Sequence, residues 1–210
     1  MIWDINIRIF HFLLIFFIIF TIVTAKLDLL FFHQFLGSSL LGLIIFRTYW
    51  GICGPHYSKF KNFFYSFNDV KLFLKGNDVS KGGHNVLGSW SIFSFYFVIV
   101  VLSVSGLFSS DDVIFDGLLA FITPSLTSIW TKAHNIFHYI IYFLIFLHIL
   151  AVLIYQFIKN KSIINQMIDG QSRDKNIEIH IIPKSSIYIG FIVLIMCTFL
   201  PPLLLYIKIY

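Results

Sequence analysis

Apolar runs of about twenty residues, the length an α-helix needs to cross a bilayer's hydrocarbon core, recur five times along this chain. They cover about residues 7–25, 29–52, 90–108, 133–158 and 187–206. Inside lipid the backbone has no water to bond, so such segments are helices whose N–H and C=O groups pair internally. Composition agrees: 58% of the residues are hydrophobic and 12% charged, against about 45–50% and about 25% in soluble domains. The sequence therefore predicts an all-α integral membrane fold. No nucleic-acid partner is expected.

The loops set the expected orientation, because Lys and Arg concentrate on the cytoplasmic side. Lys59, Lys61, Lys71, Lys75 and Lys81 lie between the second and third spans, and Lys159, Lys161, Arg173, Lys175 and Lys184 between the fourth and fifth. The other two connections hold only Lys26, and Lys132 against Asp111, Asp112 and Asp116. The N-terminus is thus expected in the cytoplasm and the C-terminus outside, in a bacterial cytoplasmic (inner) membrane. The first span lacks the basic flank and small-residue site of a cleavable signal peptide. Lys59 to Lys75 alternates Lys with Phe and Tyr, which fits either an amphipathic segment at the interface or a solvated loop. Cys53 and Cys197 fall on opposite sides of the membrane in this topology, so no disulfide is expected. No C-x-x-C-H occurs to attach a haem covalently.

Ionisable residues inside spans are costly and therefore candidates for function. Of eight histidines, His11, His33, His134, His138 and His148 lie in or at the ends of spans, while His56 and His180 fall in inner loops. The first span starts inside, so His11 is near the cytoplasmic face. The second and fourth start outside, which puts His33 and His134 near the outer face. His148 follows His134 by 14 residues, roughly 21 Å deeper and within roughly 40° around the helix. Two depth-matched pairs result, His11 with His148 and His33 with His134. Imidazole suits haem iron, and two bis-histidine haems stacked across the membrane satisfy the pattern. His138, one turn below His134, is a rival for the outer position. A single such histidine would more simply be a packing residue or a proton relay.

Other polar groups carry paired readings. Arg47 and Arg8 suit haem propionates, or they snorkel to the cytoplasmic surface. His84 and Asn85 could hydrogen-bond a quinone carbonyl near the inner haem, or Asn85 could cap the third helix. Gly37, Gly42 and Gly106 would let a flat macrocycle approach a helix backbone.

These residues also resemble a known family. Trp3-Asp4 with Arg8, Phe10 and His11 is similar to the opening W-D-x-x-x-R-x-F-H of prokaryotic b-type cytochromes, above all the cytochrome b subunit of nickel-iron hydrogenases. His33 to Gly37, then Arg47, Trp50-Gly51 and Gly54-Pro55, resemble its H-x-x-x-G and R-x-x-W-G-x-x-G-P. Gly83 to Gly88 resembles its G-H-N-P-L-G, with Val86 where Pro is usual. The His134 to His148 spacing and the Met167, Gly170 pair also match. Asn135 stands where an acid is common. The resemblance spans residues 2–170 and extends to formate dehydrogenase gamma subunits. It implies a four-helix haem-binding bundle over residues 1–170 and two haem b ligated by His11, His33, His134 and His148. Residues 171–210 would add a linker and a fifth, C-terminal transmembrane helix with a Pro201-Pro202 pair expected to kink or end it.

The function expected is electron transfer between a periplasmic hydrogenase or dehydrogenase subunit and membrane quinone. A stand-alone quinone-linked oxidoreductase and a haem-free proton channel or transporter are the alternatives. Homo-oligomerisation is compatible with either.

Overall fold

A computed structural model describes residues 3–77, 79, 85–111, 115–171 and 183–209 of the chain. Five long helices dominate: α1 (Ile5–Lys26), α2 (Leu30–Cys53), α4 (Val86–Phe108), α5 (Thr127–Leu153) and α7 (Lys184–Ile209). Two short ones, α3 (Phe67–Leu74) and α6 (Ile163–Asp169), lie in the connections. All five long helices are long and apolar enough to cross a membrane. Each shows lipid its larger apolar residues: Phe12, Phe16 and Phe20 on α1 and Phe143 and Phe146 on α5 are exposed. Phe10, Phe17, Leu43, Phe46, Ile99, Ile141 and Leu194 turn inward to one core.

The chain is a multi-pass membrane helical bundle, as the sequence predicted. Its fourth span starts six residues earlier than the apolar run suggested and ends in a π-turn, Ile154–Ile158. His84 and His180 lie outside the described residues. So does most of the linker around which the expected division at residues 170 and 171 was drawn.

Packing is uneven around the bundle. α2 touches α1, α4 and α7, and α5 leans on α4, but α1 and α5 are not a closely packed pair. A long slot is therefore left between α5 and the α1–α2 hairpin. That hairpin is tight: Leu27 donates to the Val23 carbonyl at 3.0 Å, and Asp28 takes a φ of 56° in the turn.

α7 packs directly on α2, and Gly42 is the reason. A Cβ there would collide with the Cys197 carbonyl oxygen, and the Pro201 ring would lie 3.2 Å away. Pro201 has no N–H to give the Cys197 carbonyl one turn back, so that oxygen faces the flat glycine surface of α2. Small residues serve close helix approach in membranes in this way. Two expectations are corrected here. Gly42 opens α2 to α7, not to a macrocycle. The Pro201-Pro202 pair does not end the helix, which runs on to Ile209. Cys197 therefore lies midway along α7, with Cys53 at the end of α2, and both thiols are free.

The segment after α2 folds back over the N-terminal end of the bundle. Phe63 and Tyr65 are buried with Val86, which fills the position where the sequence departs from its family pattern. The expected amphipathic element is confined to α3. There Ser66 and Asp69 form a reciprocal capping box, with the Ser66 N–H donating to Asp69 Oδ2 at 2.8 Å.

Candidate haem centre

Two opposite ends of the slot carry the intramembrane histidines. At the end away from the N-terminus, called here the far end, His33 of α2 and His134 of α5 face each other. Their ring centroids are 6.1 Å apart and the planes 82° to one another. His33 Nδ1 lies 2.9 Å from the Thr21 carbonyl of α1. His134 Nδ1 lies 3.0 Å from the Leu102 carbonyl of α4 and 3.2 Å from Ser105 Oγ. Carbonyl oxygens only accept, so Nδ1 carries the proton in both rings and Nε2 keeps a free lone pair. This is the arrangement of a metal-binding histidine whose second nitrogen is anchored by a carbonyl.

A cavity of about 360 Å³ lies beside this pair, within the range of small-molecule and cofactor sites. Gly37 and Gly106 both line it. A Cβ on Gly37 would meet nothing within 4 Å, and one on Gly106 would sit 3.2 Å from the His134 ring. His138 lines the cavity too; its Nδ1 is held by the Asn135 carbonyl at 2.6 Å, but that carbonyl belongs to its own helix and not to a neighbouring one. Its ring lies on Tyr139, 3.8 Å between centroids.

At the N-terminal end, His11 of α1 and His148 of α5 are close enough to interact electrostatically. His148 meets the Phe95 ring edge-on at 5.6 Å. His11 Nδ1 is buried without a hydrogen-bond partner. Among the described residues, neither ring of this pair has a carbonyl anchor of the far-end kind.

The other expected site residues occupy the surrounding structure. Arg47 is buried, donates from Nη1 to the Ser58 carbonyl at 3.1 Å, and lies 4.3 Å over the Phe60 ring. Arg8 donates from Nε to the Met167 carbonyl at 3.2 Å and from Nη2 to that of Ile168. It thereby serves the unpaired carbonyls at the C-terminus of α6, which Gly170 closes at a φ of +73°. Asn85 caps α4, its side-chain oxygen accepting from the Gly88 N–H at 2.5 Å. That is the simpler of its two expected roles.

Asp4 was not singled out from the sequence. Its carboxylate is 1% exposed. It accepts from the Asn6 and Ile7 N–H groups at 3.0 and 3.1 Å, from Trp50 Nε1 at 3.1 Å, and from the Ser58 hydroxyl. One side chain thus caps α1 and ties it to α2 and to the loop that folds back. The clue was present: Asp4, Trp50 and Arg47 are all residues of the family pattern.

Apolar spanning helices with a facing, carbonyl-anchored imidazole pair at the far end fit a membrane haem protein. A family model for prokaryotic cytochrome b561 matches residues 2–170, and the chain belongs to that family. No curated protein and no solved structure matches it. Family membership implies b-type haem and a role in electron transfer. The far-end residues fit such a group: two free Nε2 atoms, a flat approach beside Gly37 and Gly106, and an apolar cavity.

Proposed function

We propose that the chain is an electron-transfer subunit holding two b haems, one near each membrane face, between a partner protein and the quinone pool. His33 and His134 ligate one haem, and His11 and His148 the other. The observation that carries the reading is the far-end pair: facing rings 6.1 Å apart, each with Nδ1 held by a main-chain carbonyl. A metal at about 2 Å from each nitrogen fits that separation.

Bound haem supplies reversible one-electron chemistry at an iron whose two axial positions are filled by imidazole. The chain's part is to fix the rings, keep water from the slot with apolar side chains, and hold the sites at two depths. Arg8 and Arg47 each spend only part of their five-donor fork on carbonyls, so a propionate of the haem at the N-terminal end is compatible with both.

The N-terminal end faces the cytoplasm of a bacterial inner membrane in this reading. Lys59, Lys61, Lys71, Lys75, Lys159 and Lys161 support it, since they flank the spans at that end. Quinone binds there, near Asn85, His84 and Arg8. The far end docks a periplasmic hydrogenase or dehydrogenase subunit, which supplies the electrons.

Pyridine haemochrome analysis of the purified chain tests the centre of the proposal. Two b haems per chain are expected; none, or one, overturns it. Substituting Asn85 and His84 tests the quinone side. Loss of quinone reduction is expected. Quinone reduction that survives both changes, yet is abolished by substitutions near His33, moves the site to the far end.

A further inference from the structure

The far-end cavity changes character along its length. Its deep part is apolar, lined by Ile18, Leu40, Ile99 and Ile141. Its mouth is polar. Lys26, the last residue of α1, lines it with an exposed side chain. Gln34, next to His33, lines it as well, and its amide Nε2 is buried with no hydrogen-bond partner.

An orphaned buried amide donor is costly, and its presence beside a cavity asks what would accept from it. No neighbouring hydroxyl does: the Thr131 and Ser109 hydroxyls that line the cavity bond the Ser110 carbonyl at 2.9 Å and the Gly106 carbonyl at 3.0 Å, and neither reaches Nε2. An ammonium and an amide N–H are both donors, and the partner they share is an acceptor of negative charge. Asp111 also lines the mouth, and its Oδ1 accepts from the Phe115 N–H at 2.8 Å.

We propose that Lys26 and Gln34 form a carboxylate-binding site at the mouth of this cavity, and that the carboxylates are the propionates of the haem held by His33 and His134. The inference rests on the two-haem reading. Haem b is itself amphipathic, with an apolar macrocycle and two carboxylates along one edge. The cavity has the matching polarity, apolar at depth and donor-rich at the mouth, so the group enters with its propionates toward the far surface. Gln34 Nε2 donates one hydrogen bond, and Lys26 balances charge, including that of Asp111. Charged hydrogen bonds of this kind are stronger than neutral ones.

The test uses purified haem-loaded chain in detergent, comparing Gln34→Leu, Gln34→Glu, Lys26→Met and Lys26→Arg. Haem transfer to excess apomyoglobin gives a loss rate, and redox titration gives a midpoint potential for each haem. His134→Ala identifies which signal belongs to the far end. Gln34→Leu and Lys26→Met are expected to lose the far-end haem roughly tenfold faster. Its midpoint potential should also fall, because unbalanced carboxylates favour ferric iron. Gln34→Glu should move both further in the same direction, and Lys26→Arg should stay near wild type. An unchanged rate and potential in Gln34→Leu and Lys26→Met overturns the site, as does a shift confined to the other haem. A wild-type chain that binds no haem removes the two-haem reading and this site with it. A wild-type chain with both haems and an insensitive far end removes the carboxylate site alone.

Discussion

The two ends of the slot solve the same problem differently. At the far end the imidazoles are fixed before any ligand arrives: four helices contribute, with α1 and α4 supplying carbonyls that orient rings on α2 and α5. At the N-terminal end the imidazoles are less constrained. His11 Nδ1 has no partner, and His148 is exposed. What is rigid there is the scaffold around them, built from Asp4, Trp50, Ser58, Arg47 and Arg8. One end is preorganised at the ligand and the other behind it. A preorganised donor set costs less to order on binding, so the far-end site should hold its haem more tightly.

The largest expected effect breaks the pairs apart. His134→Ala should remove the far-end haem signal and leave the other. His148→Ala should remove the signal at the N-terminal end together with quinone reduction. The two residues sit on one helix roughly 21 Å apart along its axis, so neither change should reach the other site. Redox titration of the haem signals checks this, and a variant that retains both signals contradicts the assignment.

The next effect separates scaffold from ligand. Asp4→Ala leaves Trp50 Nε1 and two N–H groups of α1 without their acceptor, and removes a carboxylate whose charge acts on buried Arg47. Truncating one member of a buried charged network costs roughly 3–5 kcal/mol. The expected result is a marked drop in thermal stability in detergent, with the N-terminal-end haem weakened more than the far-end one. Equal loss of both haems would mean that Asp4 supports the bundle generally and not that end.

A smaller effect probes the preorganised end. Ser105→Ala removes one contact to His134 Nδ1, at 3.2 Å, but leaves the Leu102 carbonyl at 3.0 Å. The loss should be about 0.5–1.5 kcal/mol, read as a modest shift in the far-end midpoint potential with haem content unchanged. Loss of the haem itself would show that the hydroxyl, not the carbonyl, fixes the ring.

Much of this was legible in the sequence, because helix depth and helix phase are one-dimensional quantities. Five apolar runs gave five helices, and residue counts paired His33 with His134 before any fold was known. Contacts that depend on which helices become neighbours were not legible. Gly42 looked like the other two glycines, yet it faces α7, since nothing in the spacing along α2 says which side α7 will take. Asp4 and Arg47 share Ser58 as a partner only because residues 54–66 fold back over the bundle, and that path lacks the periodicity of a helix. Gln34 was hidden by its neighbour: beside His33 it read as part of a pattern rather than as an unpaired donor.

His138 offers the smallest expected effect and the sharpest test of which imidazole completes the far-end pair. Three histidines line one cavity, and a bis-histidine site uses two. His134 stands opposite His33 with 6.1 Å between centroids and takes its orientation from another helix. His138 is one turn deeper, about 6 Å along the axis. Its Nδ1 is turned to a carbonyl of its own helix, and its ring is packed on Tyr139 and edge-on to Tyr142. Serving as the ligand would mean leaving those aromatic contacts while His134 kept its anchors and did nothing. His138→Ala should therefore leave haem content at wild-type level and move the far-end midpoint potential only slightly, through the loss of a polar group beside the cavity. If His138→Ala instead removes the far-end haem and His134→Ala is harmless, the carbonyl-anchored ring is a packing residue and the pair is His33 with His138.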